Sequence, residues 1–116
     1  MQPASWIAAS EARYDAAVAA ASARVSALLP AAARVLVGEF GAKEVVVFGS
    51  FGPAGCPGMH SDVDFLVTNV DAVSALRATA VLSRLLGRDV DIICSERCRP
   101  EVWVIARQTG RILYGA

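Results

Sequence analysis

Asp62-Val63-Asp64 places two carboxylates at i and i+2. On a strand both point to one face, while Val63, Phe65 and Val67 point to the other. Neighbouring carboxylates disfavour each other's ionisation, and the apolar Phe65-Leu66-Val67 beside them offers no relief, so the pair calls for a cation. Asp89-Val90-Asp91, followed by Ile92-Ile93, repeats the arrangement in a second apolar segment. Three carboxylates converging from these two pairs would form a hard-oxygen site suited to magnesium or manganese, which keep waters and complete their shells from substrate phosphates. Whether Asp89 assists Asp91 or faces solvent depends on where its strand lies in the sheet.

Gly49-Ser50 supplies a complementary half. A strand that ends in glycine lets backbone amides approach a phosphate, and the serine hydroxyl and amide can donate to its oxygens. The loop that follows, FGPAGCPGMHS, is broken by glycines and prolines and reads as irregular. Between Lys43 and Arg77 its His60 is the one side chain that can become cationic. His60 is therefore a candidate phosphate contact, or else a loop residue bonded to a neighbour. Cys56, His60, Cys94 and Cys98 could be written as a zinc set, but neither pair has the tight C-x2-C spacing of such sites. The plainer reading makes Cys94 a small apolar residue at a strand end and leaves the other two in loops.

Positioning these groups requires strands at Glu44–Phe48, Asp62–Thr68 and Asp89–Cys94, each apolar and β-branched. A helix over 71–86, with Asp71 at its start and Gly87 as its stop, would bury Val73, Leu76, Ala80, Leu82, Leu85 and Leu86. Pro100 opens a last helix that Gly110 ends, before a short Ile112-Leu113-Tyr114 tail. Upstream, residues 5–29 form an alanine-rich helix capped by Ser5, with Ile7, Tyr14, Ala21 and Leu28 on one narrow stripe. Pro30 ends or kinks it, and a second short helix spans 31–40. The chain thus divides into an N-terminal helical extension, 1–30, and a domain over 31–116. The stripe is either ordinary packing or a surface through which the chain meets a partner or a second copy.

Composition narrows the function classes. With 116 residues, 55% hydrophobic, the chain has material for one core without disulfide staples. Eleven basic residues balance eleven acidic ones, so no counterion-driven attraction to nucleic acid is expected. Three cysteines suit a reducing compartment, no uninterrupted apolar run approaches a membrane span, and the start lacks a basic signal-peptide region. A cytoplasmic protein is expected.

Val47-Phe48-Gly49-Ser50-Phe51, Ser61-Asp62-Val63-Asp64-Phe65-Leu66-Val67 and Gly87-Arg88-Asp89-Val90-Asp91-Ile92 resemble the minimal nucleotidyltransferases of the DNA polymerase beta-like superfamily. The likeness runs from about residue 31 to Tyr114. It implies an α/β (α+β) nucleotidyltransferase fold, a small mixed sheet flanked by helices. It also implies Gly49 and Ser50 on a triphosphate, Asp62 and Asp64 on magnesium, and Asp91 as the third carboxylate near the acceptor hydroxyl. Many relatives are antitoxins that neutralise a HEPN-domain toxin by transferring AMP from ATP to a toxin tyrosine. One departure stands out: the loop between Gly-Ser and D-x-D has eleven residues, one more than the family's usual pattern, and lacks its arginine. A catalytically weak or inactive antitoxin that acts by binding is therefore the second reading.

Overall fold

The computed structural model describes residues 3–115. Its elements are α1 (Pro3–Gly38), β1 (Glu44–Phe48), a 3-10 turn (Gly49–Phe51), β2 (Val63–Thr68), α2 (Ala72–Leu86), β3 (Val90–Cys94), α3 (Pro100–Thr109) and β4 (Arg111–Tyr114). The strands form one mixed sheet in the order β3-β2-β1-β4. β1 is antiparallel to β2 and β4, and β2 is parallel to β3.

Strand alternation sorts the sheet into two faces. Val45 and Val47, Val63, Phe65 and Val67, and Val90 and Cys94 are buried in the main core against α1 and α2. The opposite face holds a much smaller cluster, Val46, Leu66 and Ala106, covered by α3. Gly110 lets α3 end close against β1, since a methyl there would meet the Ala106 carbonyl at 2.3 Å and Val46 Cγ1 at 2.6 Å. The Ile112–Tyr114 tail expected to trail from α3 is instead part of β4, pairing with β1 from Val45 to Val47. Its partner lies more than sixty residues upstream, so local sequence carries little sign of it.

α1 differs most from expectation. Pro30 neither ends nor splits it; the helix of 36 residues continues to Gly38. Proline at 30 forfeits one backbone bond, to the Ser26 carbonyl, and its ring lies on the exposed side. Leu29, Ala32, Ala33 and Leu36, all buried, hold both sides of the proline against the core. The boundary expected at residue 30 thus falls inside α1, with Val25 and Leu29 already core residues. Ser5, expected as the cap, lies within the helix.

The outer part of α1 is largely uncovered: Trp6 is 64% and Tyr14 58% exposed. The stripe that includes Ile7 and Tyr14 is therefore exposed through its first turns, becomes partly covered from Val18 and Ala21, and is buried from Val25. No uninterrupted apolar run of membrane-spanning length occurs in α1, yet by length and mean hydropathy, 1.5, it passes as a helix able to cross a membrane. Alanine explains the difference, because it raises hydropathy while burying little area.

α2 is rotated relative to expectation. Its buried residues are Ala75, Ala78, Leu82 and Leu86, while Val73 and Leu76 are 68% and 75% exposed. Asp71 caps it by accepting from the Ser74 amide at 2.7 Å, and Gly87 closes it in the left-handed conformation.

Candidate active site

Register brings the acids together. Phe48 pairs with Asp64, and Asp64 with Asp91, so the three residues form one row across β1, β2 and β3. Alternation puts Asp62, Asp64 and Asp91 on the thinly covered face, beyond the Val46, Leu66 and Ala106 cluster. Asp62 and Asp91 are exposed and Asp64 is half-buried. Partial burial, reinforced by the negative charges of Asp91 and then Asp62, pushes the Asp64 carboxyl above its ordinary range. The charges of Asp91 and Asp62 thus bear on Asp64, after the larger effect of burial.

Gly49 follows Phe48 in that row. Its φ of +70° lies in the left-handed region, and a methyl there would stand 2.7 Å from Asp64 Oδ2. The positive φ favours glycine, and the close approach means that any larger residue would displace the Asp64 carboxylate. The 3-10 turn over Gly49–Phe51 closes with the Gly52 amide on the Gly49 carbonyl, 3.0 Å. A turn of this kind leaves its first amides, those of the Gly49-Ser50 segment, without partners inside the turn. Phe51, buried in the main core, anchors it from beneath.

The loop is held by a residue that the sequence reading passed over. Arg88 Nη1 donates to the Gly58 carbonyl at 3.2 Å and to the Ser61 carbonyl at 3.0 Å, and the guanidinium lies 5.5 Å over the Phe51 ring. The Ser61 hydroxyl accepts from the Gly58 amide at 2.7 Å, closing the last turn before Asp62. Arg88 therefore ties the loop carrying Gly58–Ser61 to the phenylalanine under Gly49-Ser50. Its spacing of 27 and 30 residues from those partners hides it from any local motif.

His60 is placed apart. It is exposed and lines a hollow of about 320 Å³ with Ser83, Gly87, Arg88 and Asp89, a set that includes neither Gly49, Ser50 nor Asp64. Asp89 shares the His60 hollow, while Asp91 lines a different groove along β3. The zinc set does not gather: the cysteines are free, with Cys56 exposed in the loop and Cys94 buried at the far end of β3. Burial raises the Cys94 thiol above its usual range, which disfavours the thiolate zinc requires.

Among the described residues no group of three or more His, Cys, Asp or Glu side chains closes into a cage for a metal ion. The donor chemistry of the Asp62, Asp64 and Asp91 face is nonetheless of the kind that magnesium takes. It offers oxygen ligands whose mutual repulsion a divalent cation would relieve, and magnesium is commonly held by one or two carboxylates plus water and phosphate. Asp62 and Asp64 would hold it, with Asp91 opposite.

No family model and no curated protein matches the sequence. Solved structures do resemble the fold. A toxin–antitoxin with AMP-PNP is 18% identical, with 75% of this chain and 73% of that chain covered and a TM-score of 0.66. The MntA-HepT toxin–antitoxin is 18% identical over 72% of this chain and 67% of that one, with a TM-score of 0.59. A tri-AMPylated Shewanella oneidensis HEPN toxin in complex with MNT antitoxin is 19% identical over 65% and 58%, with a TM-score of 0.50. At these identities the likeness is one of architecture, and the chain carries the nucleotidyltransferase-like fold of the MNT antitoxin structures.

Proposed function

We propose that the chain is a nucleotidyltransferase that moves AMP from magnesium-bound ATP to a hydroxyl of a partner protein, and that the partner is a HEPN-domain toxin it neutralises. The observation that carries this reading is the row Phe48, Asp64, Asp91, with Gly49 pressed against the Asp64 carboxylate. The Gly49-Ser50 turn and an acidic pair meet there at one spot, which supports reading the turn as a phosphate cradle. The fold likeness to a toxin–antitoxin with AMP-PNP, and to one whose toxin is tri-AMPylated, points the same way.

In this reading the amides of Gly49 and Ser50 hold the triphosphate. Magnesium, bound at Asp62 and Asp64, would neutralise phosphate charge. The acceptor hydroxyl oxygen attacks the α-phosphorus as the bond to the bridging α–β oxygen breaks, and pyrophosphate leaves. Asp91 accepts the hydroxyl proton. With Arg88 committed to loop carbonyls and His60 in a separate hollow, the triphosphate relies on backbone amides and metal more than on side-chain cations. ATP as donor suits a cytoplasmic setting.

The exposed outer part of α1, with Trp6 and Tyr14, favours a second reading in which neutralisation comes from covering the partner. One experiment separates the two. The chain is incubated with α-labelled ATP, magnesium and a HEPN toxin encoded beside it, and label on the toxin is followed along with toxin activity. The transferase reading expects wild type to label and silence the toxin and Asp64→Asn to do neither while still binding it. Silencing by Asp64→Asn without label would establish the covering reading.

A further inference from the structure

β3 is an edge strand, and its free edge begins at the candidate site. The Val63 amide donates to the Asp89 carbonyl at 2.9 Å and the Ser95 amide to the Val67 carbonyl at 2.8 Å. In a parallel ladder this assigns Asp89, Asp91, Ile93 and Ser95 to bonds with β2. The backbone groups of Val90 and Ile92 and the amide of Cys94 then point off the sheet, where no described strand pairs with them. The Cys94 carbonyl is occupied by the amides of Arg97 and Cys98, both at 3.0 Å, which ends the free stretch.

A groove of about 500 Å³ follows this edge. Asp91 and Ile92 contribute from β3, Ala72, Leu76 and Thr79 from α2, and Arg97 stands beyond the strand's end. Leu76, together with nearby Val73, makes an apolar rim on α2 that the domain itself does not cover. Exposed edges usually carry a device against pairing, such as proline, lysine or a bulge. Val90–Cys94 contains no proline or lysine and its register with β2 is continuous; Asp91 is the one charged residue on this edge.

Resting on the transferase reading above, we propose that the acceptor hydroxyl arrives on an extended polypeptide segment that adds to the open edge of β3. A strand joined there lies roughly 4.8 Å from β3. Its residue opposite Asp91 presents its side chain on the face that carries Asp91 and Asp64. That residue bears the hydroxyl. Its two neighbours in sequence point to the other face, toward Leu76 and Ala72, so they are apolar. The substrate class is an extended peptide with a hydroxyl residue between apolar ones. Alternating amide and carbonyl groups suit a polypeptide backbone, and the acidic row of Asp64 and Asp91 disfavours a nucleic-acid phosphate chain.

The test uses a fluorescent peptide with one tyrosine between valines, and the same peptide N-methylated at alternate amides. Binding is read by anisotropy and AMP transfer by label from α-labelled ATP. Ile92→Pro removes an outward amide and leaves the β2 ladder, which uses Asp91 and Ile93, in place. Leu76→Glu alters an already exposed residue and so keeps the fold. Melting with Mg-ATP checks both variants for folding and nucleotide binding. The expected result is a peptide affinity about tenfold weaker in each variant, with N-methylation equally harmful, and a matching rise in KM for transfer. Wild type that fails to bind the peptide, or binding that neither variant nor N-methylation changes, overturns the edge assignment. Binding with this pattern but no transfer to any acceptor instead removes the transferase reading and leaves the docking edge standing.

Discussion

The two faces of the sheet divide the molecule's work. Toward α1 and α2 the strands present Val45, Val47, Val63, Phe65, Val67 and Val90, all buried, and this face carries most of the apolar burial. Toward α3 only Val46, Leu66 and Ala106 are fully enclosed, and the same strands present Asp62, Asp64 and Asp91. Like charges gathered on a sheet are a cost to folding, and the chain tolerates them because the other face supplies the stability. Alternation along β2 makes the division as sharp as adjacent residues: Asp64 belongs to one function and Phe65 to the other.

The largest effect should come from testing that adjacency. Phe65 is fully buried, so Phe65→Ala is expected to lower stability by about 3–5 kcal/mol, through lost transfer energy and the cavity left behind. Asp64→Asn is expected to reduce AMP transfer by roughly a thousandfold, equivalent to several kcal/mol of barrier, without lowering the melting temperature. Urea denaturation and a label-transfer assay on both variants measure the contrast. If Asp64→Asn destabilises as Phe65→Ala does, the acidic face is structural and the division fails.

Much of this division was legible in the sequence, because a period of two is enough to assign faces. The extents of β1, β2 and β3, the Asp71 and Gly87 ends of α2 and the Pro100 start of α3 follow from apolar runs and local punctuation. What stayed hidden depended on distant partners. Pro30 is absorbed because core contacts on both sides of it keep α1 one continuous helix, and β4 exists because β1 lies open to it. In α2 two apolar stripes compete, and only the packed sheet decides that Ala75, Ala78, Leu82 and Leu86 win over Val73 and Leu76. At the site, the three acids and Gly49 could be read locally. Arg88 could not, since its bonds to Gly58 and Ser61 cross from the other end of α2.

Arg88 sharpens the comparison because it links the faces, with its guanidinium over core residue Phe51 and its hydrogen bonds in the loop that leads to Asp62. Arg88→Met keeps much of the packing and removes both bonds to carbonyls. The expected loss is about 1–3 kcal/mol, the range for leaving buried polar groups unpaired, concentrated in the loop. Limited proteolysis within 52–61 should accelerate, and the KM for ATP should rise more than kcat falls. A drop in kcat at unchanged KM and unchanged loop protection would mean that Arg88 acts on the reacting groups instead.

Titration gives a smaller, signed test. The Asp64 carboxyl is raised above its ordinary value of 3.8 in the folded chain, so between that value and its folded one the native state binds more protons than the unfolded state. Stability from this group is present at low pH and declines as pH rises through the window. Asp71 and Glu96, lowered by hydrogen bonds from the Ser74 and Asn69 amides, act in the opposite direction, their contribution being lost on acidification. The melting temperature of Asp64→Asn minus that of wild type should therefore grow from pH 4 to pH 7 and shrink again when magnesium is added. A difference that is flat across this range would show that neither burial nor the neighbouring carboxylates raise the Asp64 carboxyl.

The smallest effect is expected where α1 leaves the domain. Burial begins at Val25, and from Ser5 to Ala17 only Ser10 is even partly covered, so removing residues 1–20 takes away little that packs on the sheet. Surface changes of this kind stay near ~0.5 kcal/mol. Leu29→Ala, a change of one side chain on the inner half of the same helix, should cost about 2–5 kcal/mol because Leu29 is fully enclosed in the main core. Urea midpoints for the two variants compare the halves directly, and the shift in melting caused by Mg-ATP should survive the truncation. The contrast is informative because Pro30 lies in the inner half and the outer half is at least as rich in alanine, so helix propensity alone would rank the outer half the more stable. If the truncation costs as much as Leu29→Ala, the outer turns contribute to folding through more than their exposed surface suggests. If it costs as little as expected, Trp6 and Tyr14 serve something other than the stability of this domain.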